Sequence, residues 1–406
     1  MDLEAIGALL TPEGWALLES LPGYDEQQAM ALGERLRREG HPPALVAAAL
    51  TQTRLRTRAA TKFGPFATTM LFTPEGLEQA TRLGVAARHA QRFQAAGVAR
   101  VADLGCGIGA DSMALATFDR EVVAVEKDDV TAAVATMNLR HWPEATVRCE
   151  DATSTDLTGI GGAFVDPARR NASGKRLLDP RTGSPPLSFV LDLARRLPAV
   201  GLKTAPGIPH HLVPDGAEAQ WVSVAGEVVE AALWFGLLAR DGVRRAALVL
   251  PADDDTVTTP VEITDAGLVD PTVGPVGSFL YEPDGAVIRA GLVGQVAAAV
   301  GGRLLDRTIA YVTSDRLVRT PLATAYAVED AFGFQLKTLR TWLRDRGIGR
   351  LTIKKRGTAV EPEQLRRQLR LSGDNEATIV LTRIAGRQSV LAVRPLHPRH
   401  DPAPRP

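Results

Sequence analysis

V-A-D-L-G-C-G-I-G-A-D, residues 101–111, is the stretch that decides how this chain folds. The apolar run from Arg100 to Leu104 reads as a strand, and a helix starts near Asp111. Between them Gly105, Gly107 and Gly109 let the backbone turn sharply and approach a ligand closely. Dinucleotide-binding folds share such a loop, but there the helix N-terminus meets a pyrophosphate. Here Asp103 stands two residues before the first glycine. A carboxylate at that place repels a phosphate and accepts hydrogen bonds from an ammonium group.

Outward from the loop, runs at Glu121 to Glu126, Thr146 to Cys149, Gly162 to Asp166, Val200 to Thr204, Gln220 to Ala225 and Ala246 to Leu250 bring the expected strands to seven. They alternate with helical stretches, one of them expected over Glu227 to Ala239, which is the pattern of a mostly parallel α/β sheet. The last two strands suit an antiparallel pair at one edge. Upstream, residues 1–72 read as a helical region, with Leu9, Leu10, Trp15, Leu17, Leu18 and then Leu45, Val46, Leu50, Leu55 at helical spacings, broken by Pro22-Gly23 and Pro42-Pro43. Its last part carries Arg54, Arg56, Arg58 and Lys62. Such a basic run lies against solvent more often than against RNA. Thr73 then caps a helix expected over Pro74 to Gln94, with proline at its first position.

Residues 73–300 are the expected α/β domain, with Pro251 to Gly285 read as a connection and a helix over Ala286 to Val300. Beyond a strand near Tyr311 come a helix at Gln335 to Asp345, a strand at Arg350 to Lys355, a helix at Pro362 to Leu369 and strands at Ala377 to Arg383 and Gln388 to Arg394. That order suggests a ferredoxin-like α+β domain over 303–396, followed by a disordered tail at 397–406.

Composition fits a soluble globular protein, with 45% hydrophobic residues, 23% charged ones and 47 of each sign. No run approaches the roughly 18 apolar residues of a membrane span. Asp2 and Glu4 stand where a signal peptide would be basic. Cys106 and Cys149 show no ligand spacing, so neither a metal site nor a disulfide framework is expected, and a reducing cytoplasm fits best. Charge is nonetheless uneven: residues 303–400 hold an excess of about ten positive charges, which suggests a polyanion partner such as RNA. Arg344, Arg350, Lys354, Lys355 and Arg356 are the candidate contacts.

Two further carboxylates narrow the ligand of the glycine loop. Glu126, followed by Lys127, ends its strand about twenty residues downstream, where an acid can take both hydroxyls of a ribose. Asp151 and Ala152 follow the next strand, where a carboxylate accepts from an adenine amino group and a backbone N–H meets a ring nitrogen. Ammonium, ribose and adenine together describe S-adenosylmethionine. The loop set is therefore Asp103, Gly105, Gly107, Gly109, Asp111, Glu126, Lys127, Asp151 and Ala152.

These segments resemble motifs I, II and III of the class I methyltransferases. The whole chain further resembles bacterial class I methyltransferases with a C-terminal THUMP-like domain, through K-F-G at Lys62, M-L-F-T-P-E-G-L-E-Q-A-T at Met70, F-V-D-P-A-R-R at Phe164, K-T-A-P-G at Lys203 and Y-E-P-D-G-A-V-I-R-A at Tyr281. The resemblance implies a Rossmann-like seven-stranded sheet, a ferredoxin-like appendage and an RNA-modification setting.

Asp166-Pro167-Ala168-Arg169 falls where amino-group methyltransferases of nucleic acids have an acid, two prolines and an aromatic. Asp166 and Pro167 keep the part that holds an exocyclic amine, and Arg169 replaces the stacking ring with a guanidinium, which itself stacks on bases. Asp166, Pro167 and Arg169 are thus the candidate catalytic residues of an RNA methyltransferase. A methyltransferase of a small molecule or protein, and a non-catalytic RNA-binding protein with a retained cofactor fold, are the alternatives.

Overall fold

The computed structural model describes residues 2–167, 180–252, 259–267 and 270–396. Arg169, the Asp253-Asp254-Asp255 run and the 397–406 tail fall outside them. The chain divides into two compact units. The first runs through Ala219 and takes in Glu230–Asp241, and the second holds Gln220–Val229, Gly242–Ala252 and the remaining C-terminal chain.

The first unit begins with α1 (Leu3–Leu9), α2 (Pro12–Ser20), α3 (Ala29–Arg38) and α4 (Pro43–Phe63). Asp2 and Thr11 accept the first free N–H groups of α1 and α2, and Pro12 and Pro43 take positions where no donor is needed. Next come α5 (Pro74–Gln79), α6 (Leu83–Ala95), β1 (Arg100–Leu104), α7 (Ala110–Thr117), β2 (Glu121–Glu126), α8 (Asp129–Asn138), β3 (Ala145–Cys149), β4 (Gly162–Val165), α9 (Leu187–Arg196) and β5 (Ala199–Thr204). Strands β6 (Glu218–Val224) and β7 (Glu227–Gly236) follow.

Within this unit the strands lie in the order β3-β2-β1-β4-β5-β7. The first five are parallel, and β7 runs antiparallel to β5. Register sets Leu104 level with Val125 and Val165, and Glu126 level with Cys149. The strands' carboxyl ends therefore release the glycine loop, Glu126, Asp151 and Asp166 along one edge, the usual ligand edge of an open α/β sheet. A single apolar core joins the N-terminal helices, through Ile6, Leu9, Leu55 and Phe63, to sheet residues Val101, Phe164 and Trp234.

Two expectations change here. Glu227 to Ala239 was expected as a helix and is the strand β7 over its first ten residues. Residues 230–235 of β7 are all buried, so the run carries no alternation, and a continuous apolar run is equally compatible with a buried helix. The helix expected over Pro74 to Gln94 is two helices, broken at Ala80-Thr81-Arg82. The break frees the side chain of Thr81 from helical geometry and lets it bond to Asp111.

In the second unit β8 (Arg245–Leu250) pairs antiparallel with β9 (Val261–Thr264). After β10 (Phe279–Pro283), α10 (Gly285–Ala290) and α11 (Val293–Ala299) come β11 (Arg303–Asp306), β12 (Ile309–Ser314), β13 (Ala323–Gly333), α12 (Leu336–Asp345), β14 (Ile348–Lys355), α13 (Pro362–Leu369), β15 (Asn375–Ile384) and β16 (Arg387–Pro395). The seven-stranded sheet has the order β11-β12-β10-β13-β16-β15-β14. Leu339 and Leu343 of α12 and Leu365 and Leu369 of α13 lay the apolar stripes of both helices on Ile379, Leu381 and Val390. The elements from Gln335 onward match expectation to within two residues at each end. The expected single helix over Ala286 to Val300 is split at Gly291, whose φ of 71° ends α10. Strands β9 and β10 lie in what was read as connection.

Candidate functional site

At the end of β1 the chain turns through three left-handed glycines, with φ of 86° at Gly105, 56° at Gly107 and 90° at Gly109. Any side chain at Gly105 would be strained by this backbone, and its Cβ would stand 2.5 Å from the carbonyl oxygen of Asp166. The glycine loop and the Asp166-Pro167 turn therefore abut. The amides of Gly105 and Cys106 donate to the Val125 carbonyl at 2.9 and 3.0 Å. The Glu126 carboxylate accepts from the amides of Gly107 at 3.1 Å and Asp128 at 3.0 Å.

Asp103 is buried beneath this loop. Its Oδ2 accepts from the Ser112 hydroxyl at 2.5 Å, and its Oδ1, also buried, has no partner among the described residues. Burial, with the Asp111 charge nearby, pushes its carboxyl up to about 8 against the pull of Ser112. Cys106 in the same loop is buried, and its thiol is pushed up by desolvation and by Asp103 and Glu126. Asp151 is exposed and held in a tight turn: its Oδ1 accepts from the amide of Thr153 at 2.8 Å and the hydroxyl at 2.6 Å, which holds it below the usual carboxylate range. Ala152 is half-buried and Lys127 is exposed.

Behind the loop the side chains form a buried, hydrogen-bonded array. Asp166 Oδ2 accepts from Lys203 Nζ at 2.6 Å, and the same ammonium donates to Thr81 Oγ1 at 2.7 Å. The Thr81 hydroxyl donates to Asp111 Oδ2 at 2.6 Å. Asp111 Oδ1 lies 2.8 Å from His89 Nδ1, and Glu230 Oε1 lies 2.8 Å from His89 Nε2. The direction of each bond follows from chemistry: an ammonium only donates, so the threonine hydroxyl is free to donate onward, and an imidazole between two carboxylates is a double donor. Burial alone would lower the pKa of His89, but Glu230 and Asp111 outweigh it and raise it to about 10. Both carboxylates are correspondingly held low by His89 against their own burial. Charge thus alternates along Glu230, His89, Asp111, Lys203 and Asp166, and the array ends on a partly exposed carboxylate beside the glycine loop.

Asp111 was expected to face the cofactor, and both its oxygens serve this array. Thr81, His89 and Glu230 were missed by sequence reasoning. His89 lies at helical spacing with Val85, Ala86, Ala90 and Phe93 on the buried face of α6, and that periodicity was the available signal that it needs polar partners. Glu230 was hidden by the helix expected at its position.

Two members of the basic run at the end of α4 point inward. Arg56 Nε donates to the Met70 carbonyl at 2.9 Å, and its guanidinium is lowered to about 10, chiefly by burial. Lys62 Nζ donates to the carbonyls of Leu77, Glu78 and Ala80 at 2.8 to 3.0 Å. In the second unit each candidate RNA contact has an acid beside it: Lys354 and Arg356 meet Glu282 at 2.5 and 3.8 Å, Lys355 meets Glu361 at 2.7 Å, Arg344 meets Asp345 at 2.8 Å and Arg350 meets Glu376 at 3.7 Å. The Arg344 and Arg350 pairs are exposed and of the kind that contributes little and exchanges partners readily, whereas Lys354, Arg356 and Glu282 are half-buried. Among the described residues no group of three or more His, Cys, Asp and Glu is placed to hold a metal, and no helix is long and apolar enough to cross a membrane.

Residues 323–395 match the family model described as THUMP domain-like, and residues 2–59 match one described as Domain of unknown function (DUF8688). An uncharacterized S-adenosylmethionine-dependent methyltransferase of Mycobacterium tuberculosis, in strains CDC 1551 / Oshkosh and ATCC 25618 / H37Rv, is 36% identical over 340 residues, covering 82% of this chain and 91% of the relative. The crystal structure of a "putative methyltransferase" from Porphyromonas gingivalis W83 superposes with a TM-score of 0.70 over 93% of this chain and 100% of that one, at 20% identity, and shares the fold. S-adenosylmethionine fits what the loop presents: a buried carboxyl oxygen of Asp103 with no partner among the described residues, and open space where a side chain at Gly107 would stand. Strand order, loop and relatives agree: the chain belongs to the class I S-adenosylmethionine-dependent methyltransferases and carries a C-terminal THUMP-like domain.

Proposed function

We propose that the protein methylates a base of RNA, with the RNA held by the basic C-terminal domain. The observation that supports this most is the Asp166 carboxylate, fixed by Lys203 on Oδ2 and abutting the glycine loop through its own backbone carbonyl. In this reading Asp103 accepts from the cofactor's ammonium group, Glu126 takes the ribose hydroxyls, and Asp151 with the amide of Ala152 meets the adenine. S-adenosylmethionine supplies an already activated methyl group when bound, so the protein's task is alignment of a nucleophile at about 3 to 3.5 Å. Asp166 Oδ1 accepts an N–H of the acceptor amine, the backbone at Pro167 takes a second, and Asp166 stands ready for the proton released. The test is transfer of label from radiolabelled S-adenosylmethionine to total RNA of a strain lacking the gene. Asp166→Asn should lower the rate at least about 100-fold, the scale of a lost positioned acceptor, and leave cofactor affinity within about threefold. Wild-type protein that labels none of that RNA overturns the reading.

The acid beside each of the five candidate RNA-binding cations favours a second reading, a small-molecule or protein acceptor. It differs in predicting no salt-dependent RNA binding.

A further inference from the structure

The segment M-L-F-T at residues 70–73 is buried, yet it belongs to no helix or strand among the described residues. Its backbone is satisfied instead by two buried side-chain amides. From α4, Gln52 Nε2 donates to the Phe72 carbonyl at 2.7 Å, and Gln52 Oε1 accepts from the Phe72 amide at 3.0 Å. From the last position of α8, Asn138 Oδ1 accepts from the Leu71 amide at 2.8 Å, and Nδ2 donates to the Leu71 carbonyl at 3.0 Å. That same Nδ2 also donates to the carbonyl of Ile108, inside the glycine loop, at 2.9 Å. A few residues on, Gly76 comes so close to the loop that a Cβ there would meet Ile108 Cγ2 at 2.5 Å. Arg56 and Lys62 fasten the two ends of this stretch to α4.

The glycine loop is thus held from two sides. Glu126 takes the Gly107 amide, and Asn138 takes the next carbonyl but one and ties it to a segment that α4 grips. Within the loop the Gly109 amide donates to the Cys106 carbonyl at 2.9 Å, and Asn138 gives the carbonyl side of the same 108–109 peptide a partner from outside, where left-handed glycines have shallow backbone preferences of their own.

We propose that the N-terminal helical region, including the residues that match the domain of unknown function, is a clasp for the cofactor loop, with Gln52 and Asn138 as positioning residues that set cofactor affinity. This rests on residues 103–111 being the cofactor loop and is independent of the acceptor. Gln52 is placed to act through the 70–73 segment, by its two bonds to the Phe72 backbone.

The test uses the full chain, with S-adenosylmethionine titrated calorimetrically and amide exchange followed at Ile108 and Gly109. Gln52→Met should raise the Kd about threefold and Asn138→Ala about tenfold, both with faster exchange at those two amides. Val46→Ala, which trims a buried apolar side chain on the same helix, should lower the melting temperature and leave Kd and loop exchange as in wild type. A merely structural role would make all three variants behave like Val46→Ala, and that result overturns the proposal. If Asn138→Ala fails to fold, Gln52→Met decides alone. If Asp103→Asn binds cofactor as wild type does, the loop assignment fails, and exchange at Ile108 in Gln52→Met still decides whether the clasp exists.

Discussion

His89 shows how much of this site depends on a single proton. Its imidazolium sits between Asp111 and Glu230, 4.8 Å from the ring of Phe164 and 5.6 Å from that of Trp234, in a core that would otherwise expel charge. With its pKa raised from 6.5 to about 10, the folded state holds a proton that the unfolded chain releases earlier. The stabilisation this proton gives is present below pH 6.5 and is lost progressively as the pH rises through about 10. Nitrogen-15 spectra should show His89 doubly protonated at pH 8. Urea unfolding should show a stability loss of a few kcal/mol from pH 6.5 to 9.5 that His89→Gln removes. A neutral His89 at pH 8 would mean that the array is wrongly polarised.

The elements around the site are built by contacts that periodicity does not report. Helix α5 ends at Gln79 because Lys62 from α4 takes three carbonyls in and just after its last turn. Lys62→Met leaves those carbonyls short of a donor, and it should cost about 1 to 3 kcal/mol in urea unfolding, with faster amide exchange over residues 77–82. Arg58→Met, on the exposed face of the same helix, should cost less than about 0.5 kcal/mol. Equal costs would show that the lysine does not act as a cap. The basic run was legible as a run, but which of its members turn inward depends on a partner segment fourteen or more residues away. Strand β7 failed to be legible for a related reason: a run buried on both faces carries no period, and it is sheet pairing, with β5 among its neighbours, that makes it a strand.

For the molecule as a whole, a net charge of zero hides a strongly basic C-terminal portion. If that portion holds RNA phosphates, binding should weaken at least tenfold between 50 and 200 mM salt, measured by filter binding on the full chain. Replacing Arg344 and Arg350 together with alanine should flatten the slope. A salt-independent affinity, or none, favours the small-molecule or protein acceptor. The sequence by itself determined the α/β class, the strands that carry the site, the glycine loop with Asp103, and the order of Glu126, Asp151 and Asp166. Those features are local, set by side-chain period, by glycine conformation and by position at a strand end. Only the tertiary structure decided that Thr81, His89, Lys203 and Glu230 form one polarised array ending on Asp166, and that Asn138 bonds both to the loop carbonyl of Ile108 and to the 70–73 segment that Gln52 of α4 holds. These groups are brought together from distant parts of the chain, and a buried polar group's partner is chosen by packing in three dimensions.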